Sequence, residues 1–181
     1  MNVYIMRHGI TMWNEKGIIQ GRSNNRLSIS GKYFTEEMAK KYSNKKFDII
    51  FSSPLTRTIQ TANIMNKFHK VKVSKDERLI EINQGIFTKR LKSSLTDIEK
   101  KQRLNREKSC GMESYESVFN RAKDFLLEIM QNRNYENVLI VTHAIIARLL
   151  EKLITNQDID FTNERDLRDF KNAEIKVFHC N

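Results

Sequence analysis

The chain has few of the residues that break or staple a polypeptide: its 181 residues include one proline, two cysteines and six glycines. Cys110 and Cys180 are too few for a disulfide framework and lack metal-ligand spacing, so they read as inert thiols in a reducing cytoplasm. Long apolar runs are missing as well. The most apolar stretch, Val138 to Leu150, is interrupted by Thr142, His143 and Arg148 and is too short to span a bilayer. At the N-terminus a short apolar run ends at Arg7, without the longer apolar core that follows basic residues in a secretion signal. A transmembrane protein is thereby excluded, and neither repeats nor low-complexity linkers divide the chain.

With 39% hydrophobic and 9% aromatic residues the chain can bury a normal core, so residues 1–181 are expected to form one soluble domain. Lysine plus arginine number 32 against 22 acidic residues, a net charge of +10 that favours nucleic acid, a membrane surface or phosphorylated small molecules. The same excess also fits compositional bias, since the chain holds 19 Lys and 17 Asn. No basic stripe interleaved with aromatics is present, so no specific nucleic-acid partner is expected, and no membrane. Nothing in one sequence sets the oligomeric state.

Short β-rich runs recur at Val3–Met6, Phe47–Ser52, Val71–Val73, Leu79–Ile82, Val138–Thr142 and Ile175–Phe178. Several are continuously apolar, as strands buried on both faces are. Helical spacing fills the intervals Ser30–Tyr42, Pro54–Phe68, Ser114–Met130 and Ala144–Ile154, with Ser53 placed to cap the second. Alternating strands and helices predict an α/β three-layer sandwich, its central sheet mostly parallel and covered by helices on both faces. The segment Thr88–Ser109 differs in lacking an apolar stripe, and it carries eight cationic against three anionic residues. It reads either as part of a small helical cap inserted over 86–112 or as a solvated surface helix.

In open α/β sheets the ligand sits beyond the carboxyl ends of the strands. The strand-like runs deliver Arg7-His8-Gly9, then Ser53-Pro54-Leu55-Thr56-Arg57, then His143, and Leu79–Ile82 adds Glu81. Each alone has a bland structural explanation. Together they are complementary: guanidiniums present forked donors to phosphate oxygens, and histidines supply a nucleophile and a further donor.

Arg7-His8-Gly9 followed by Thr11, Trp13 and Asn14 resembles the signature of the histidine phosphatase superfamily, in the branch that holds the phosphoglycerate mutases. Further blocks follow in the family's order: Gly21-Arg22 to Leu27-Ser28 and Gly31, Ser52-Ser53-Pro54-Leu55 with Arg57-Thr58, Gln60, Thr61 and Ala62, and Glu81 with Gly85. Glu113-Ser114 with Arg121, Val141-Thr142-His143-Ala144 with Arg148, and Asn172-Ala173 complete the series. The resemblance implies His8 as the residue that takes the phosphoryl group, with Arg7, Arg57 and His143 binding its oxygens. Glu81 would protonate the leaving oxygen and later activate water. Asn14 and Ala144 would fall at the rim of the pocket, and no metal or other cofactor is required.

Departures from the pattern occur at Ile10, where relatives often have Glu, at Ala144 in place of Gly, and at Thr88-Lys89, where an acid and a glycine are frequent. Another is Asn24 or Asn25 in place of a frequent Asp. None removes the nucleophile or the phosphate clamp. The implied activity is a metal-independent phosphatase acting on a small phosphorylated metabolite. Two alternatives stand beside it, a cofactor-dependent phosphoglycerate mutase and a non-catalytic phosphate-ligand or nucleic-acid binding module. His69 and His179 read as structural or surface residues, and Trp13 as packing beside the site.

Overall fold

Alternate residues of β1 (Asn2–Arg7) point into two different cores, and this organises the molecule. Val3 and Ile5 enter one apolar cluster, whereas Tyr4 and Met6 enter another. The same division recurs along β4 (Asn137–Thr142), where Val138 and Ile140 face the first cluster and Leu139 and Val141 the second. A continuously apolar strand is therefore buried on both faces, as its composition predicts. The computed structural model describes residues 1–132, 134–159, 161 and 170–180.

The remaining strands are β2 (Ile49–Ser52), β3 (Lys72–Lys75) and β5 (Ile175–His179), and the sheet order is β3-β2-β4-β1-β5. The first four strands lie parallel to their neighbours, and β5 closes one edge antiparallel to β1. One face is covered by α2 (Ile29–Lys41) and α3 (Thr56–Met65), through Ala39, Ala62 and Met65. The other is covered by α5 (Tyr115–Gln131) and α6 (Ala144–Thr155), through Val118, Phe125, Ile146 and Leu150. The three-layer α/β expectation holds. Two shorter helices, α1 (Met12–Glu15) and α4 (Asp97–Leu104), lie outside these layers. Among the described residues no helix is long and apolar enough to cross a membrane.

Two local expectations fail for physical reasons. Leu79–Ile82 is not a strand: a 3-10 turn at Glu77–Leu79 is followed by irregular chain. Its apolar residues Leu79 and Ile82 are fully buried in the first core cluster, so their hydrophobicity reports packing and not a ladder. Ser53 does not cap α3 either. That helix begins after Leu55, and Asn24, 32 residues upstream, supplies the missing acceptor at 2.6 Å from the Thr56 amide.

The 86–112 segment is fastened to the body by two kinds of contact, and a third set of bonds holds it together internally. Antiparallel main-chain bonds join it to residues 17–19: Ile19 N to Arg90 O at 2.9 Å, Lys89 N to Ile19 O at 2.8 Å and Lys92 N to Gly17 O at 3.0 Å. Phe87, Leu95, Cys110 and Met112 bury a small apolar cluster around Ile19. Thr96 and Glu99 form a reciprocal capping box on α4, and Glu99 also pairs with Arg90, which with the Thr96 amide holds its carboxyl down to about 2. Cys110 and Cys180 are both free and buried.

Candidate active site

Strand register brings the candidate residues together. Arg7 pairs with Thr142 and Ser52 with Val141, so His8, His143 and Ser53 follow the last paired residues of three adjacent strands. Main-chain bonds extend each ladder one step, from His8 N to Thr142 O at 2.9 Å and from Ser53 N to Val141 O at 3.1 Å. The first turn of α2 presses against this loop at Gly31, where a Cβ would lie 2.0 Å from the Ile10 carbonyl oxygen.

The His8 ring is buried, and its Nδ1 lies 2.7 Å from the Gly9 carbonyl oxygen. A carbonyl only accepts, so Nδ1 carries the proton and Nε2 keeps its lone pair. Arg57 Nε donates to that nitrogen at 3.2 Å. Burial, then the charges of Arg57 and Arg7, hold His8 well below the usual imidazole range, against a smaller opposing effect of the Gly9 carbonyl. The ring is accordingly neutral at pH 7. Asn172 Nδ2 bonds the His8 carbonyl at 3.0 Å, and Thr61 Oγ1 accepts from the Gly9 amide at 3.0 Å.

Arg57 is 1% exposed, and three oxygens besides His8 fix its guanidinium. Nη1 donates to Ser23 O at 2.7 Å and Asn25 Oδ1 at 3.4 Å, and Nη2 to Gly21 O at 2.9 Å. Burial lowers its pKa to about 10, with Glu81 opposing and Arg7 adding to the shift, so the group stays charged at neutral pH. Arg7 Nη1 donates to the Phe170 carbonyl at 2.7 Å. His143 is completely buried, its ring 5.2 Å from that of His8, with Nε2 at 2.8 Å from Ser53 Oγ. Burial, Arg57, His8, Arg7 and Arg121 keep His143 well below the ordinary imidazole value. Its Nδ1 is buried with no hydrogen-bond partner among the described residues.

Arg7, His8, Asn14, Arg57, Glu81 and Ala144 line one cleft of about 470 Å³; His143 is not among its lining residues, and its ring contacts that of His8 edge to face. Ala144 is the first residue of α6, so the positive end of that helix fronts the cleft. Trp13 is half-buried and does not line it. Gln20, Gln84, Lys92 and Arg103 also line the cleft, and sequence reasoning gave them no role. The only signal for the two cations was the basic run, which does not distinguish two of its eight members.

Glu81 sits on irregular chain whose carbonyls are held by side chains. Arg121 donates to Arg78 O at 2.6 Å, Thr142 to Leu79 O at 2.8 Å, Arg22 to Glu81 O at 3.1 Å, and Arg106 to Asn83 O. Glu113 joins the group, taking Arg22 at 3.0 Å, Arg121 at 3.1 Å and the Asn83 amide at 3.1 Å. Burial alone would raise the Glu113 carboxyl, but Arg121 and the other donors hold it below its ordinary value. The segment ends at Gly85, where φ is +53° and a Cβ would lie 1.9 Å from Cys110 O, so only glycine fits.

The buried rings make stability depend on pH. Below pH 6.5 the unfolded chain protonates His8 and His143 while the folded rings stay neutral, so the unfolded state binds more protons. His69, lowered by burial, acts in the same direction. Stability should fall as pH drops from 7.5 to 5.5, with a limiting slope of about 1.4 kcal/mol per pH unit for each ring. Denaturant unfolding across this window would check it, and His143→Gln should remove one ring's share of the slope. A flat profile would mean that the rings accept protons in the folded state.

Sheet, strand-end histidines and cationic cleft together define an α/β enzyme built to handle an anion. The family model described as histidine phosphatase superfamily (branch 1) matches residues 3–181, and the chain belongs to that family. It is a phosphoric monoester hydrolase by class. The chain is 29% identical over 168 residues to phosphoserine phosphatase 1 of Hydrogenobacter thermophilus, covering 88% of this chain and 78% of that one. It is 30% identical over 160 residues to a Salmonella paratyphi A protein named "Probable phosphoglycerate mutase GpmB", covering 85% and 74%. Among solved structures, the α-ribazole phosphatase of Shigella flexneri superposes with a TM-score of 0.86 at 21% identity, covering 100% of this chain and 91% of that one.

Proposed function

We propose that this phosphatase hydrolyses a small phosphorylated metabolite without a metal ion, through a phosphohistidine formed on His8. The observation that carries the reading is the His8 ring: Nδ1 is fixed on the Gly9 carbonyl, protonation is suppressed, and the Nε2 lone pair is directed into the guanidinium-lined cleft. Entry of a phosphoryl group replaces the contact between His8 and Arg57. Its oxygens are taken by Arg7, Arg57 and the positive end of α6, with Asn14 at the rim. When Ser53 donates to His143 Nε2, the proton of that ring lies on the unpartnered Nδ1, a further donor for the phosphoryl group.

In the first step the bond from Nε2 to phosphorus forms as the bond to the leaving oxygen breaks, and the Glu81 carboxyl gives that oxygen its proton. In the second, Glu81 takes a proton from water as the water attacks phosphorus, and the bond to Nε2 breaks to release phosphate and free His8. Segment 86–112 serves as the mouth of the site within a single domain. The two free buried thiols support a reducing, cytoplasmic location.

The test is phosphate release from p-nitrophenyl phosphate in excess EDTA, with rapid quenching to trap the phosphoenzyme. Turnover resistant to EDTA, with an acid-labile and alkali-stable phosphoryl adduct, is the expected result. Turnover abolished by EDTA, or restricted to interconversion of phosphoglycerates in the presence of a bisphosphorylated primer, would overturn the proposal.

A further inference from the structure

We infer that Glu113 is the positioning residue of Glu81: from outside the cleft its carboxylate fixes the loop on which the proton donor stands. The inference rests on the reading above of Glu81 as acid and then base. Residues 80–84 belong to neither a helix nor a strand, so no ladder sets where the Glu81 side chain falls. The loop is held instead from Glu113, at points before, at and after Glu81. Directly, the Asn83 amide donates to Glu113 Oε2 at 3.1 Å, and the Glu113 amide donates to Asn83 O at 3.2 Å. Through Arg22, whose Nη2 pairs with Glu113 Oε2 at 3.0 Å, the hold reaches Glu81 O, which accepts from Nε at 3.1 Å. Through Arg121, whose Nε and Nη2 lie 3.1 and 3.3 Å from the two carboxylate oxygens, it reaches Arg78 O, which accepts from Nη1 at 2.6 Å.

This arrangement does more than satisfy a buried charge. A guanidinium is a rigid fork of donors, so an arginine held by a carboxylate at one nitrogen offers its other nitrogens in set directions. Glu113 thereby orients two such forks, and each places a different carbonyl of one loop. Ser117 Oγ, in the first turn of α5, gives the carboxylate a further donor at 3.2 Å, which ties the clamp to a regular element. Neither Glu113 nor Arg22 lines the cleft. Neither touches the reacting atoms, and the influence of Glu113 on the reaction passes through the place it gives Glu81. Catalysis is sensitive to such placement, because a shift of about 1 Å in a catalytic group can cost ~10²-fold in rate.

The experiment is a double-mutant cycle between Glu113→Gln and Glu81→Gln, read on p-nitrophenyl phosphate by rapid mixing. Glutamine keeps the length of the side chain and loses the charge that holds the two arginines. Glu113→Gln alone should lower kcat by about 10- to 100-fold, with a burst of nitrophenolate before slow turnover. Its affinity for vanadate should be unchanged, because the imidazole and the phosphoryl cradle stay in place. In the Glu81→Gln background the same substitution should cost less than about threefold, since the group it positions is already gone. Thermal unfolding of each variant controls for folding. Where Glu113→Gln does not fold, Arg22→Gln takes its place in the cycle: that side chain is 41% exposed, and its removal severs the link from Glu113 to the Glu81 carbonyl. The same fractional loss in both backgrounds, weakened vanadate binding, or full turnover of the folded variant would overturn the inference while leaving the phosphatase reading intact. Unchanged turnover in Glu81→Gln itself, or no nitrophenolate release from the native chain, would overturn the reading beneath it as well.

Discussion

Replacing His8 by alanine should lower kcat for phosphate release by about 10⁴-fold or more and abolish the trapped phosphoryl adduct. The substitution removes the atom that attacks, while Arg7, Arg57 and the end of α6 remain to bind the ligand. Phosphate or vanadate should therefore still bind the variant, separating loss of chemistry from loss of the cradle. The ring is also buried, so its removal leaves a cavity and frees the Gly9 carbonyl and Arg57 Nε from their present partners. Unfolding midpoints of both forms must accompany the rates. A folded His8→Ala protein with turnover within tenfold of the native chain would show that another group attacks phosphorus.

Glu81→Gln should produce a loss that depends on the leaving group. With an alkyl phosphate the departing alkoxide needs a proton, and kcat should fall by 10²- to 10⁴-fold, a range typical of general acids. With p-nitrophenyl phosphate the leaving group departs unaided, so the first step is spared and the second, which needs a base for water, is slowed. Rapid mixing should then show a burst of nitrophenolate approaching one per active site, followed by slow turnover. Glutamine keeps an acceptor for the Ile82 amide, now held by Glu81 Oε1 at 2.9 Å, so the loop has no reason to collapse. Equal losses on both substrates without a burst would assign Glu81 a role in binding or packing instead.

The parts of the fold legible in the sequence are those governed by local pattern. Val3–Met6 and Val138–Thr142 are apolar at every position before the polar residue that ends them, and both faces of each are indeed buried. Strand ends then mark His8 and His143, because ladder register forces the residues after two adjacent parallel strands to be neighbours. What stayed hidden depends on partners remote in sequence. Nothing near Ser53 reveals that its hydroxyl serves His143, 90 residues away, or that Asn24 caps α3. Leu79 and Ile82 read as a strand because apolar content alone does not separate a packed loop from a ladder. Lys92 and Arg103 look like their neighbours in the basic run, and only the path of the chain brings these two to the cleft.

The attachment of residues 89–92 to residues 17–19 is made by peptide groups, which every amino acid except proline provides in full. A graft at this seam is blind to which side chains it carries. Most exposed positions between Leu91 and Ser109 can therefore drift or be exchanged while the join survives, provided that Leu95 keeps its place in the small apolar cluster. The attachment of the segment and the make-up of its exposed face are in this way separately heritable. A lineage can rewrite that face by replacing a few residues on one short segment, leaving untouched the buried imidazoles that took the whole sheet to assemble.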